Sequence, residues 1–355
     1  MLLGLSERPF STLPGWGEEE AQALLFGVRR HFAPHIRSRP HQAPFLEPLE
    51  ELLTRSGSST AQQSVEAHFV PIKVPTSGFV TAYYEPIIAA SWTPGNGFET
   101  PLYRRPDDLV RVAPRADLPG DGTWGRRCTT GAVVPYYDRI AIEAGALRGR
   151  GLELAYMADP VDAFFAQVQG SARLRFPDGR TVRVGYHGKS GHAYTAIGRV
   201  LIDRGVLPEG GATMATIREA LASDPQLVAP TLRANRSFVF FREREDEGDG
   251  FGPVAAAGLP LIPWRSLAVD RAHIGLGTPV FVETTLPTTG PFHKVMIAED
   301  TGSAIVGPAR GDLFIGSGDA AGAIAGDVKQ SATFTLILPR AYLEAGRARG
   351  ASTPA

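Results

Sequence analysis

Apolar residues recur at helical spacing in residues 18–32, where Ala21, Leu24, Leu25 and Val28 share a face, acids lead and Arg29 and Arg30 trail. That charge order suits the helix dipole, so the pattern predicts an amphipathic helix. Residues 45–53 and 61–68 read as two more. The texture then changes. Gly78-Phe79-Val80-Thr81-Ala82-Tyr83-Tyr84-Glu85 is β-branched and aromatic and is stopped by Pro86, which predicts a strand carrying polar and aromatic groups to one end. Residues 93–135, rich in Pro, Gly and Arg, read as loop with short strands. A strand over 151–156 precedes Asp159-Pro160, an N-cap and favoured first-turn proline for a helix over 161–168. Strands over 172–176 and 181–186 flank Pro177-Asp178-Gly179-Arg180 as a hairpin. Gly188-Lys189-Ser190-Gly191-His192 leads into a helix in which Ala196, Ile197, Val200 and Leu201 form one face, closed by Gly205. Short helices over 213–222 and 229–235 follow, then a buried strand over 237–241 and an acidic, solvated loop over 243–250. From 260 to 339 strands dominate, over 266–269, 279–284, 295–298 and 333–338, with one helix over 319–326. The last sixteen residues read as a frayed tail.

The 355-residue length allows two domains, and 40 glycines with 29 prolines favour a turn-rich β architecture over a helical bundle. A net charge of −1 with charges spread along the chain marks no nucleic-acid or anionic-membrane surface. The single cysteine, Cys128, excludes an internal disulfide and a cysteine-based metal cage, and its surroundings match no thiol-enzyme pattern. No apolar run approaches ~18 residues, so no membrane span is expected. Met1-Leu2-Leu3-Gly4-Leu5 is too short for the apolar region of a signal peptide, and there is no lipoprotein motif.

Candidate chemistry concentrates where the apolar run Val295-Met296-Ile297-Ala298 delivers Asp300 to the turn Asp300-Thr301-Gly302-Ser303, with Asp312 twelve residues on, beside Leu313, Phe314 and Ile315. A phosphate loop would need Lys and Ser or Thr after its second glycine, where Gly307 is followed by Pro308. An aspartic protease would need a second Asp-Thr-Gly or Asp-Ser-Gly, and the chain has none. A third reading, a carbohydrate-active acid, needs support from elsewhere in the chain; the default for one Asp beside a Gly is a structural turn in which Asp300 bonds backbone N–H groups.

Several separated stretches together carry a family resemblance. They are residues 79–86, Gln167-Val168-Gln169-Gly170-Ser171, residues 188–198, Ser237-Phe238-Val239-Phe240-Phe241, Ser266-Leu267-Ala268-Val269-Asp270 and the Asp300–Asp312 region. In this order the chain resembles the MltA-type membrane-bound lytic murein transglycosylases, which end in a three-aspartate domain. The resemblance spans residues 70–340. It implies a mainly β fold with peripheral helices: a double-psi β-barrel, a second small β-domain inserted into it, and a substrate groove between them. The domains expected are an N-terminal helical segment (1–69) packed on the barrel, the barrel itself (70–86 and 237–340, the three-aspartate domain at 260–340), the insert (87–236) and the tail (341–355). It makes Asp312 the catalytic acid, with Asp300 and Asp270 in support. It also implies peptidoglycan glycan strands as the partner, association with other cell-wall enzymes, no nucleic acid, no metal or cofactor, and a periplasmic or outer-membrane-associated location.

The chemistry fits. An acid must protonate the leaving oxygen, and apolar neighbours keep a carboxyl protonated near neutral pH. In this family the sugar's own C6 hydroxyl attacks, giving a 1,6-anhydro ring, so that one Asp serves first as acid and then as base. Tyr83, Tyr84 and Tyr194 are candidates for stacking on sugar faces, and Thr81, Glu85, Gln169 and Ser171 for bonding hydroxyl and acetamido groups; core packing is the alternative for the tyrosines. His192 reads as a capping or hydrogen-bonding residue and Asp319 as a helix N-cap. Two rival functions remain: an inverting glycosidase with Asp300 or Glu85 as water base, and a cell-wall-binding module that grips glycan without cleaving it.

Overall fold

The structure, a computed structural model, describes residues 6–32, 60–244, 250–302 and 304–344. The helix expected over 45–53, most of the acidic loop and the tail beyond residue 344 lie outside the described residues; residues 340–344, expected to fray, are helical and bury Leu343 against Val70, Ile72 and Leu338. The chain forms two compact units, one of Met1–Tyr83, Asp249–Gly316 and Asp327–Ala355, the other of Tyr84–Gly248 and Ser317–Gly326.

The first unit is built on six strands: β1 (Gly78–Glu85), β2 (Ser266–Val269), β3 (Pro279–Leu286), β4 (Gly290–Asp300), β5 (Arg310–Ser317) and β6 (Lys329–Pro339). They are ordered β6-β3-β4-β2-β5-β1, and β1 pairs back to β6, so the sheet closes into a barrel. Closure leaves no open edge among the six. Residues Phe69–Lys73 extend β6 on the outside. β3 and β4 form a hairpin that turns at Leu286 and Gly290, the latter at φ 78°.

The expected amphipathic helix, Glu18–Phe32, lays Ala21, Leu24 and Val28 on Phe281, Val295, Ile297 and Ile337 of the barrel. A Cβ on Gly27 would lie 2.3 Å from Ile297 Cγ1, so the bare glycine sets how closely the helix approaches. Buried Glu20 accepts hydrogen bonds from Val295 N and Arg265 Nη1, both at 2.6 Å. Glu18 in turn accepts from Ala61 N and Gln62 N, capping the helix Ala61–His68.

The second unit holds a six-stranded sheet in the order Val239–Arg244, Thr181–Lys189, Ser171–Arg175, Ile87–Ser91, Glu153–Met157, Thr100–Tyr103. Helix Pro160–Gln169, capped by Asp159 and ended by Gly170 at φ 77°, covers it. Its Ala163 and Ala166 face the sheet, while Val161, Phe164 and Phe165 join the helical cluster of Ile197, Leu201, Ile217, Leu221 and Leu232.

Two expectations are corrected. The strand over 237–241, assigned to the barrel, pairs with Thr181–Lys189, because Phe238 and Phe240 bury in one core of the second unit and Phe241 in another. Helix Asp319–Gly326, expected within the barrel segment, also belongs to the second unit. Moreover residues 310–317, over which the sequence reading assigned no strand, form β5, a full eight-residue strand.

Candidate active site

β2 is the centre of the site. Its Ala268 pairs with Asp300 of β4 on one side and with Asp312 of β5 on the other. Residues paired across neighbouring strands face the same way, so the two aspartates flank one small side chain, two strand spacings or roughly 9–10 Å apart at their Cα atoms. On β5, Arg310 and Asp312 alternate with Gly311 and so share that face. A Cβ on Gly311 would meet the side chains of Leu267 and Phe334 at 2.9 Å, so a larger residue there would have to displace one or both.

Asp312 keeps part of its surface open. Its Oδ1 accepts a hydrogen bond from Thr81 Oγ1 of β1, and Oδ2 has no hydrogen-bond partner among the described residues. Burial pushes its carboxyl up to about 6, against the pull of the Thr81 hydroxyl and the Arg310 guanidinium and with a further push from Asp300. Thr81 Oγ1 itself accepts from Arg310 Nη2 at 2.7 Å.

Asp300 is held differently. Its Oδ2 accepts from Tyr83 OH at 2.9 Å and its Oδ1 from Ala256 N at 3.1 Å. Burial raises its pKa, opposed by these bonds and by the Thr301 backbone. The Tyr83 ring packs on Phe314 at 5.3 Å, and burial together with the two aspartates drives its phenol well above the usual range. Asp270, just past β2, takes Ala272 N at 2.9 Å on Oδ1 and Gly307 N at 2.8 Å on Oδ2. It thereby ties the turn between Asp300 and Asp312 to the end of β2, and the two backbone bonds hold its carboxyl below the usual value.

The structure thus gathers Thr81, Tyr83, Asp270, Asp300 and Asp312 in the first unit. The remaining sequence candidates lie in the second. Tyr84 is buried, its OH 3.5 Å from Met214 Sδ and its backbone N–H on Gln169 Oε1 at 3.4 Å, so it is a core residue rather than a sugar platform. Glu85 is 0% exposed. It accepts from Arg183 Nε at 2.8 Å, Arg173 Nε at 2.9 Å and Ser317 Oγ at 2.8 Å, so it has no surface left for substrate. Ser171 is buried and Tyr194 is exposed. His192 bonds Tyr136 O at 2.9 Å, a structural role as expected. Sequence reading missed Arg310; the signal available was its position two residues before Asp312 on a strand, which puts both on one face.

Comparison with known proteins places this arrangement. A model of the MltA specific insert domain matches residues 79–242, and a model of the 3D domain matches residues 265–338. The crystal structure of a membrane-bound lytic murein transglycosylase from Agrobacterium tumefaciens is 41% identical, with a TM-score of 0.85, over 96% of this chain and 99% of that one. The structure of Escherichia coli MltA with bound chitohexaose is 27% identical, with a TM-score of 0.71, over 94% of this chain and 95% of that one. The membrane-bound lytic murein transglycosylase A of Vibrio cholerae is 34% identical over 258 residues, 70% of this chain and 62% of that protein. The chain belongs to the MltA family of membrane-bound lytic murein transglycosylases. It spans about 62% of the length of the curated relatives it matches. No helix among the described residues is long and apolar enough to cross a membrane.

Proposed function

We propose that this protein is a peptidoglycan lytic transglycosylase that cleaves the β-1,4 bond between N-acetylmuramic acid and N-acetylglucosamine. The observation that carries the reading is Asp312: a carboxyl pushed to about 6, with one oxygen fixed by Thr81 and the other without a hydrogen-bond partner among the described residues. Such a group is neutral often enough to protonate a leaving oxygen and, once ionised, basic enough to take a proton back. Asp312 protonates the glycosidic oxygen, then as carboxylate removes the proton of the muramic C6 hydroxyl as that oxygen closes on the anomeric carbon. Asp300 and Tyr83 supply fixed polarity beside the developing charge. The membrane-bound names of the relatives and the chitohexaose bound to the E. coli protein support an envelope glycan as substrate and an outer-membrane-associated location.

A hydrolase needs a second carboxylate to activate water. Both oxygens of Asp300 are committed to donors, and its raised pKa is set by burial. Glu85 is enclosed by arginines. Intramolecular capture needs no such base, and oriented groups within one molecule reach effective molarities of roughly 10⁵–10⁸ M. Mass spectrometry of fragments released from purified sacculi tests the reading. The expected products end in 1,6-anhydromuramic acid and resist borohydride. Reducible ends, or labelled oxygen taken from water at the anomeric carbon, would establish a hydrolase, and binding without release would establish a glycan-gripping module.

A further inference from the structure

Arg310, Thr81 and Asp312 form a chain of hydrogen bonds with only one consistent direction. A guanidinium has donors and no acceptor, whereas a threonine hydroxyl has one proton and two lone pairs. Arg310 Nη2 therefore donates to Thr81 Oγ1 and occupies a lone pair of it. Asp312 Oδ1 is the only other hydrogen-bond partner of that hydroxyl among the described residues. If the acid's proton sat on Oδ1, the hydroxyl would accept from both sides and its own proton would be stranded. With the proton on Oδ2, the Arg310 and Thr81 donors each have an acceptor, and the acid's own proton sits on the oxygen that no described residue engages.

We propose that Arg310 is a positioning residue that acts through Thr81: it locks the threonine proton toward Asp312 Oδ1 and so places the transferable proton on Oδ2, the oxygen left open to substrate. The proposal rests on Asp312 being the acid of the proposed reaction. Arg310 is itself held in place. Its Nη1 donates to Gly311 O, and its guanidinium lies over the Phe79 ring, 5.4 Å from the centroid. The charged and titratable groups facing Asp312 are Arg310 on its own strand, Asp300 on β4 and Tyr83 on β1.

The same geometry gives Arg310 a second effect. When Asp312 becomes the base, the Thr81 bond and the cation beyond it stabilise the carboxylate, which keeps the group from being too strongly held in its acid form. One oxygen stays a fixed acceptor while the other gives and receives the proton.

The direction of the Thr81 bond has a sign that can be measured. A hydroxyl that donates to Asp312 stabilises the carboxylate, so its loss raises the pKa; a hydroxyl that accepts the acid's proton stabilises the neutral form, so its loss lowers it. The experiment is a pH titration of ¹³C-carboxyl-labelled aspartates by NMR, with Asp312→Asn assigning the resonance, in the wild-type chain and in Thr81→Val, Thr81→Ser, Arg310→Met and Arg310→Lys. The expected result is an upward shift of about one pH unit or more in Thr81→Val and in Arg310→Met, restored by Thr81→Ser and partly restored by Arg310→Lys. A downward shift in Thr81→Val, or no shift in Arg310→Met, overturns the proposal. Folding of each variant is checked by its melting curve, and Thr81→Ser and Arg310→Lys carry the test if a larger change unfolds the protein: a Thr81→Ser titration unlike the wild type is then the refuting result. The titration needs no turnover. Upward shifts in a protein that releases nothing from sacculi would sink the transglycosylase reading and leave the relay standing.

Discussion

Asp312 carries a folding cost beside its proposed role. Its carboxyl lies at about 6 in the folded chain against an ordinary 3.8, so the fold prefers the neutral acid. That contribution to stability is fully present below the unfolded value and is lost as pH rises through about 6. The loss is on the order of 2–3 kcal/mol at neutral pH and above. Asp312→Asn, whose amide oxygen still accepts from Thr81, is therefore expected to melt higher than the wild type at pH 7.5, the gap narrowing as the buffer is taken to pH 4. The same substitution should lower the rate by about 10²–10⁴-fold or more, since the proposed reaction uses one group as both acid and base, and leave chitooligosaccharide binding intact. A variant that kept its turnover, while Asp300→Asn folded and lost all activity, would exchange the roles of the two aspartates. In the wild type, kcat/KM should decline as pH rises through about 6, because the free enzyme must begin protonated.

Among the elements, the turn between β4 and β5 depends on Asp270. Its two backbone acceptor bonds hold it below the usual carboxylate value, so the tether is complete above the ordinary pKa and is lost as pH falls through the depressed one. Asp270→Ala should speed hydrogen exchange at the Gly307 and Ala272 amides more than elsewhere in the barrel, and unchanged exchange at both would remove the tethering role. Asp270, Asp300 and Asp312 were all legible in sequence through the family pattern, and so was the helix of residues 18–32, whose apolar stripe is long and regular. β5 was harder to read because Gly311 weakens a strand signal and the alternation of Arg310, Gly311 and Asp312 gives way to the continuous apolar run of Leu313, Phe314 and Ile315. Residues 237–241 look equally apolar whichever sheet receives them, so periodicity could not choose the partner. Tyr84 and Glu85 continue the β1 pattern of exposed chemistry, yet both turn into the second unit's interior, a fact of packing that only coordinates supply.

For the molecule as a whole, the chain leaves one compact unit for the other at the end of β1 and again at the end of β5. Glu85, at the first of these points, binds Ser317, at the second, through a fully buried carboxylate clasped by Arg173 and Arg183. Removing one partner of such a cluster leaves uncompensated charge in the interior, so Glu85→Ala should cost about 3–5 kcal/mol in denaturant unfolding. A loss below 1 kcal/mol would mean that water reaches the arginines. The pairing of Thr81 with Asp312 has a further consequence, one of time. The two residues are 231 positions apart in sequence. At synthesis rates of roughly 5–20 residues per second, β1 leaves the ribosome some 10–50 s before the strand that completes it. During that interval its backbone edge is open to any other unpaired strand, and the Thr81 hydroxyl has no carboxyl to donate to. The site therefore cannot exist in part on a nascent chain; it comes into being only when the barrel closes.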